Sequence, residues 1–227
     1  RMKDIISVCS GKGGVGNSTI SALIALSLSK KFKTLVIDAD LGLTNLDLIF
    51  KVNNTRYDLT DVINKKCNLK DAILSINDSL DLLTLYHESS LDSLNTIAMK
   101  KVIASVCEEY DYLILDCPAG IEKGFNLCLS ISNKAIIVIN PIATSVRDSY
   151  FVSELIEKNY YQTIGYILNR ASEKDLKKVM NVFPRIASSL LFRLSDNKAI
   201  SRSNFSSSLM DLVLKRIGED ENDEIHI

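Results

Sequence analysis

"DIISVCSGKGGVGNSTISALIALSL", residues 4–28, decides the fold. A short run rich in Ile and Val, a turn with glycine at 11, 13, 14 and 16, and a stretch with Ile20, Leu23, Ile24 and Leu28 follow one another without a gap. The first part reads as a strand buried on both faces, and the apolar spacing of the last part reads as a helix. A glycine-rich turn between strand and helix aims several backbone N–H groups at one point, and the helix dipole adds positive potential there. Phosphate is the natural ligand, and bulky side chains at Gly11, Gly13, Gly14 or Gly16 would block its approach. Ser18 can offer its hydroxyl to the Mg²⁺ that accompanies such a phosphate.

The same alternation continues along the chain. Apolar runs at 33–38, 80–86, 110–116, 134–140 and 163–169 read as further strands, with helical spacing at 95–109, 145–159 and 173–181. Strands alternating with helices predict an α/β fold, a mostly parallel central sheet with helices on both faces. Residues 188–194 read as a last strand and 207–217 as a helix whose face of Leu209, Leu212, Val213 and Ile217 suits core packing better than a membrane. One domain over 2–218 is expected, followed by an acidic tail at 219–227; Arg1, ahead of Met2, reads as a remnant outside the fold.

Composition narrows the function classes. The chain has 227 residues, 46% hydrophobic and 24% charged, with a net charge of −1, and its lysines lie in scattered pairs. That distribution gives no basic stripe for nucleic acid. Five cysteines without a CxxC pair indicate neither a disulfide framework nor a zinc site, and point to a reducing cytoplasm. No stretch has the length and apolarity of a membrane-spanning helix. His87 and His226 stand apart from other ligand types and receive no chemistry.

The loop resembles the deviant Walker A (MinD/ParA) family of P-loop ATPases, whose pattern K-G-G-V-G-K-[ST] differs here at Asn17 alone. The resemblance implies a P-loop NTPase fold that binds ATP or ADP with Mg²⁺ through Gly11, Lys12, Gly13, Gly14, Val15, Gly16, Asn17, Ser18 and Thr19. It also implies that Lys12 reaches the phosphates of a second subunit in a nucleotide-sandwich dimer. The lysine that Asn17 replaces would touch the β- and γ-phosphates of its own subunit. Losing one charge-assisted hydrogen bond costs about 1.5–3 kcal/mol in binding. Losing a preorganised donor in a transition state costs roughly 10²–10³ in rate, so hydrolysis is expected to suffer more than binding. Asn17 fits a natural switch of weak turnover and equally a substitution made to suppress hydrolysis.

Carboxylates close the two neighbouring runs. Asp38 and Asp40 end "LVIDAD" and Asp116 ends "YLILD", at the strand edge where open parallel sheets bind ligands. Cys117 reads as a packed residue and not a nucleophile. "YDLTDVINKKCNLKDAI" (57–73), "DCPAGIEKGF" (116–125) and "NPIATSVRDS" (140–149) resemble the septum-site-determining MinD branch of the family. That resemblance makes Asp40 the residue that orients the attacking water, assigns Asp38, Asp116 and Ser18 to magnesium, and places 116–120 in switch II with Asn45 in switch I. It assigns adenine recognition to Asn169, with Arg170 beside it, and regulator binding of the MinC/MinE type to 145–149, where Tyr150 replaces an acid of the relatives.

Relatives of that branch end in a basic amphipathic helix that binds anionic lipid, whereas this chain ends in "GEDENDEIHI". An acidic segment is repelled by such a surface, so membrane association is expected only with a further helix. The alternatives are an FlhG-like flagellar-number regulator, which shares "DADLGLTNLDL", and a nucleotide-dependent scaffold without turnover. A DNA-partitioning ATPase would want a basic surface, and an iron–sulfur carrier a CxxC.

Overall fold

Strands β1 (Asp4–Cys9), β2 (Thr34–Asp38), β3 (Ile73–Asn77), β4 (Leu80–Thr84), β5 (Tyr112–Asp116), β6 (Lys134–Ile139), β7 (Thr163–Leu168) and β8 (Leu190–Arg193) form one sheet, ordered β3-β4-β2-β5-β1-β6-β7-β8. The computed structural model describes residues 2–39, 46–53, 56–85, 96–121, 123–160, 162–195 and 205–218. Every pairing is parallel except β3 with β4. The expected α/β architecture is therefore present, and the glycine turn leaves β1 at the centre of the sheet.

Alternation along the strands splits the core. Tyr112 and Ile114 of β5, Val36 of β2 and Ile136 and Val138 of β6 face α1 (Asn17–Leu28) and α10 (Ser207–Ile217). Leu113, Leu115, Leu35, Ile37, Ile137 and Ile139 face the opposite way, toward α5 (Thr96–Glu109), α6 (Lys123–Ile131), α7 (Ala143–Asn159) and α8 (Glu173–Val182). A period of two on strands covered on both faces yields these two apolar layers. On α10, Val213 is buried and Leu209 and Ile217 pack against the same layer as α1, but Leu212 is 41% exposed and lies outside that face. Among the described residues no helix is long and apolar enough to cross a membrane.

The sequence reading missed β3 and the short helices α2 (Leu46–Phe50), α3 (Leu59–Ile63), α4 (Leu69–Ala72) and α9 (Ile186–Ser189), as well as α6. β3 is a half-exposed edge strand with a single partner, so it lacks the continuous apolar run of a strand covered on both sides. Helices of four or five residues are too short to establish a period.

Candidate functional site

The turn after β1 opens α1 without a cap. Gly16 stands at the N-cap with φ 99° and ψ 28° and offers no side chain, and the first turn of the helix carries no acidic residue. Among the described residues, none of the backbone N–H groups from Gly13 to Thr19 has an acceptor; the first helical bond runs from the Ile20 N–H to the Gly16 carbonyl at 3.0 Å. Row upon row of unpaired donors at a helix N-terminus concentrates positive potential. The Ser18 hydroxyl is likewise without a partner among the described residues.

Neighbouring elements brace this loop on one side and leave it open on the other. A Cβ at Gly11 would lie 2.5 Å from the backbone carbonyl carbon of Asp148 on α7, and one at Gly16 would lie 2.5 Å from Asn169 Nδ2. At Gly14 the same construction meets nothing within 4 Å. Asn169, following β7, donates from Nδ2 to the Val15 carbonyl at 2.8 Å, and Arg170, in the left-handed region with φ 54°, donates to the Gly14 carbonyl at 3.2 Å. Asn140, after β6, is best satisfied with its amide nitrogen toward the carbonyls of Val15 and Asn169, both at 3.2 Å. Lys12 is exposed, and its Nζ rests on Thr144 Oγ1 at 3.2 Å. No local motif marks Asn140, Thr144 and Asp148 as loop contacts; Asn140 lies just past β6, and the other two lie on α7.

Position 17 turns inward. Asn17 Nδ2 donates to the Val8 carbonyl at 3.1 Å and to the Cys117 carbonyl at 3.2 Å, while its Oδ1 is buried without a partner among the described residues. Beside it, Asp38 and Asp116 are register partners on adjacent strands and are 0% and 1% exposed. Asp116 Oδ1 accepts from the Ser21 hydroxyl at 2.8 Å, and Asp38 Oδ2 accepts from the Leu46 N–H at 3.2 Å. The structure thus brings Asn17, Ser18, Asp38, Asp116, Asn169 and Arg170 to one edge of the sheet. Asp40 and Asn45, like His87, His226 and the acidic 219–227 segment, lie outside the described residues.

Burial pushes the Cys117 thiol well up, with a hydrogen bond to Cys128 adding to the effect, which keeps it protonated and suits packing. On α7, Arg147 pairs with Asp148 at 3.0 Å, and Tyr150 is 42% exposed with its ring edge-on to Phe183.

These features match known proteins. Residues 3–164 match the family described as AAA domain. The septum site-determining protein MinD of Synechocystis sp. is 38% identical over 173 residues, covering 74% of this chain and 65% of that protein. Against the curated relatives it matches, the chain spans about two thirds of their length. The MinC:MinD cell division complex of Aquifex aeolicus superposes with a TM-score of 0.82 at 30% identity, over 95% of this chain and 96% of that one. MinD of Pyrococcus horikoshii, complexed with Mg-ADP, gives 0.77 at 28% identity, over 96% of this chain and 90% of the other. With the parallel sheet, the glycine turn and these relatives in agreement, the chain belongs to the MinD/ParA family of P-loop ATPases.

Proposed function

We propose that this chain is a MinD-like nucleotide switch in the placement of the cell-division site, binding ATP or ADP with Mg²⁺ at residues 11–19. The observation that supports it most is the uninterrupted set of N–H groups from Gly13 to Thr19 that have no partner among the described residues. Polyphosphate oxygens satisfy such donors, and the open side of Gly14 leaves them room. The residues present fit the metal as well. Among the described residues no group of three or more His, Cys, Asp and Glu is arranged to hold a metal ion alone. One hydroxyl with one or two carboxylates suits a Mg²⁺ that arrives on phosphate, and Ser18, Asp38 and Asp116 would supply them. When bound, the ion neutralises charge on the phosphate oxygens.

Asn169 retains one N–H and one lone pair beyond its contacts with Val15 and Arg170, enough to recognise an adenine edge. Lys12 would reach a second copy's phosphates, since the neutral hydrogen bond to Thr144 is cheaply given up. Ile121 and Ile142, each 57% exposed beside the loop, suit a face that a second copy covers. Asp40 would orient the attacking water. Turnover is weak in this reading, because Asn17 brings no charge to the phosphates, and the engagement of both its N–H groups favours a second role as a nucleotide-dependent scaffold. A MinC-type regulator would dock on the ATP-bound dimer, and a membrane surface only through a further amphipathic segment.

Calorimetry with ADP and with ATP, each with Mg²⁺, is the test. Saturable binding of one nucleotide per chain is expected, with light scattering reporting a doubled mass in ATP. Absence of heat and of any fit for both nucleotides overturns the proposal.

A further inference from the structure

We propose that Asn17 is a positioning residue, a clamp that holds the turn after β5 against the first turn of α1, and not a phosphate ligand. An amide nitrogen has two N–H groups. Both are engaged, one with Val8 at the end of β1 and one with Cys117 just past β5. Each neighbour is a carbonyl, so the nitrogen must be the atom that faces them. What remains is Oδ1, a buried acceptor without a partner among the described residues, which would repel a phosphate oxygen. Serving the phosphate would require Asn17 to break two bonds and strip the Cys117 carbonyl of its donor, an expensive exchange inside the protein.

The clamp sits where it matters. The Cys117 N–H already bonds the Val8 carbonyl at 3.0 Å and the Gly120 N–H bonds the Ser10 carbonyl at 3.2 Å, so the 117–120 turn is tied to β1 at one end and to the start of the loop at the other. Asn17 adds a third tie, from a helix instead of a strand, and nothing in it depends on how many phosphates are bound. In this chain the turn is therefore held in one position whatever the nucleotide. The identity of the loop as a phosphate cradle is carried over from the proposed function, but the clamp itself is independent of it.

Amide hydrogen exchange on the nucleotide-free protein reads the clamp directly, through the protected N–H groups of Cys117 and Gly120. Asn17→Ala removes the side chain. Asn17→Asp keeps its shape, removes both donors, and leaves an acid that favours the start of a helix. Both variants are expected to exchange at these two positions faster by roughly tenfold or more, the effect of two lost hydrogen bonds. Unchanged exchange in both variants overturns the proposal. In the native chain, saturating Mg-ADP should leave the two amides at least as protected as before; faster exchange there means that Asn17 has let go to serve the phosphate, and also overturns it. Asn17→Lys should raise ATP affinity by roughly tenfold or more, because a charged donor now reaches the phosphates. Failure of every variant to bind nucleotide would count against the proposed function and leave the exchange result standing.

Discussion

Helices α1 and α8 begin in opposite ways. At α8 the Ser172 hydroxyl accepts from the Asp175 N–H at 3.2 Å while Asp175 returns a bond to the Ser172 N–H at 2.9 Å, a complete capping box. At α1 a glycine takes the same place, no side chain caps it, and donors are left open over more than a turn. The chain supplies Ser and Asp caps elsewhere, at Asp58 and Ser206 as well. With glycine in place of a Ser or Asp cap the cost is roughly a few tenths of a kcal/mol. The contrast teaches that α1 gives up local stability at the end where a ligand can restore it.

Several measurements can break this contrast. The largest effect belongs to Gly11→Ala: its new Cβ would press on the Asp148 backbone, which cannot step aside. Stability should drop by about 1–3 kcal/mol. Nucleotide affinity should fall roughly hundredfold, as two hydrogen bonds to charged oxygens are misaligned; calorimetry and urea titration check both. Next, Mg-ATP at a hundred times its dissociation constant should stabilise the native chain by about 2.7 kcal/mol. That raises the melting temperature by roughly 5–10 °C, read by differential scanning fluorimetry, and no shift at all would erase the functional side of the contrast. Asn169→Ala should lower ATP affinity about fivefold, since the loop loses its bond at Val15 and Arg170 loses the acceptor for its N–H.

Smallest is Ser172→Ala, expected to cost about 1 kcal/mol in urea and to leave nucleotide affinity untouched. Its pH signature has a definite sign. Hydrogen bonds from Ser172 lower the Asp175 pKa, so this contribution is present above the ordinary carboxylate value and is lost as pH falls through the lowered one. The variant should show a shallower loss of stability on the acid side.

Much of the architecture could be read from the sequence because central strands declare themselves as apolar runs. "YLILD" and "KAIIVI" are covered on both faces, so every residue but the Asp that ends the first and the Lys that opens the second is apolar. β3 escaped because an edge strand mixes exposed and half-buried positions, and α6 because Gly124 and a length of only 9 residues obscure the period. The loop and the two carboxylates lie in local motifs. What local motifs do not contain is the inward turn of Asn17, which depends on Val8 and Cys117 arriving from strands far apart in the chain. The loss of a lysine is visible in one dimension, while the new employment of the residue that replaced it is visible only in three.

Close contact between Gly11 and Asp148 has a mechanical meaning. With Lys12 also resting on Thr144, the first turns of α7 and the glycine bend share a boundary that has no slack. A push on that end of the helix arrives at the bend directly through the backbone of Asp148, with the Lys12 side chain as a second point of contact. Any step of one segment toward the other meets that contact at once.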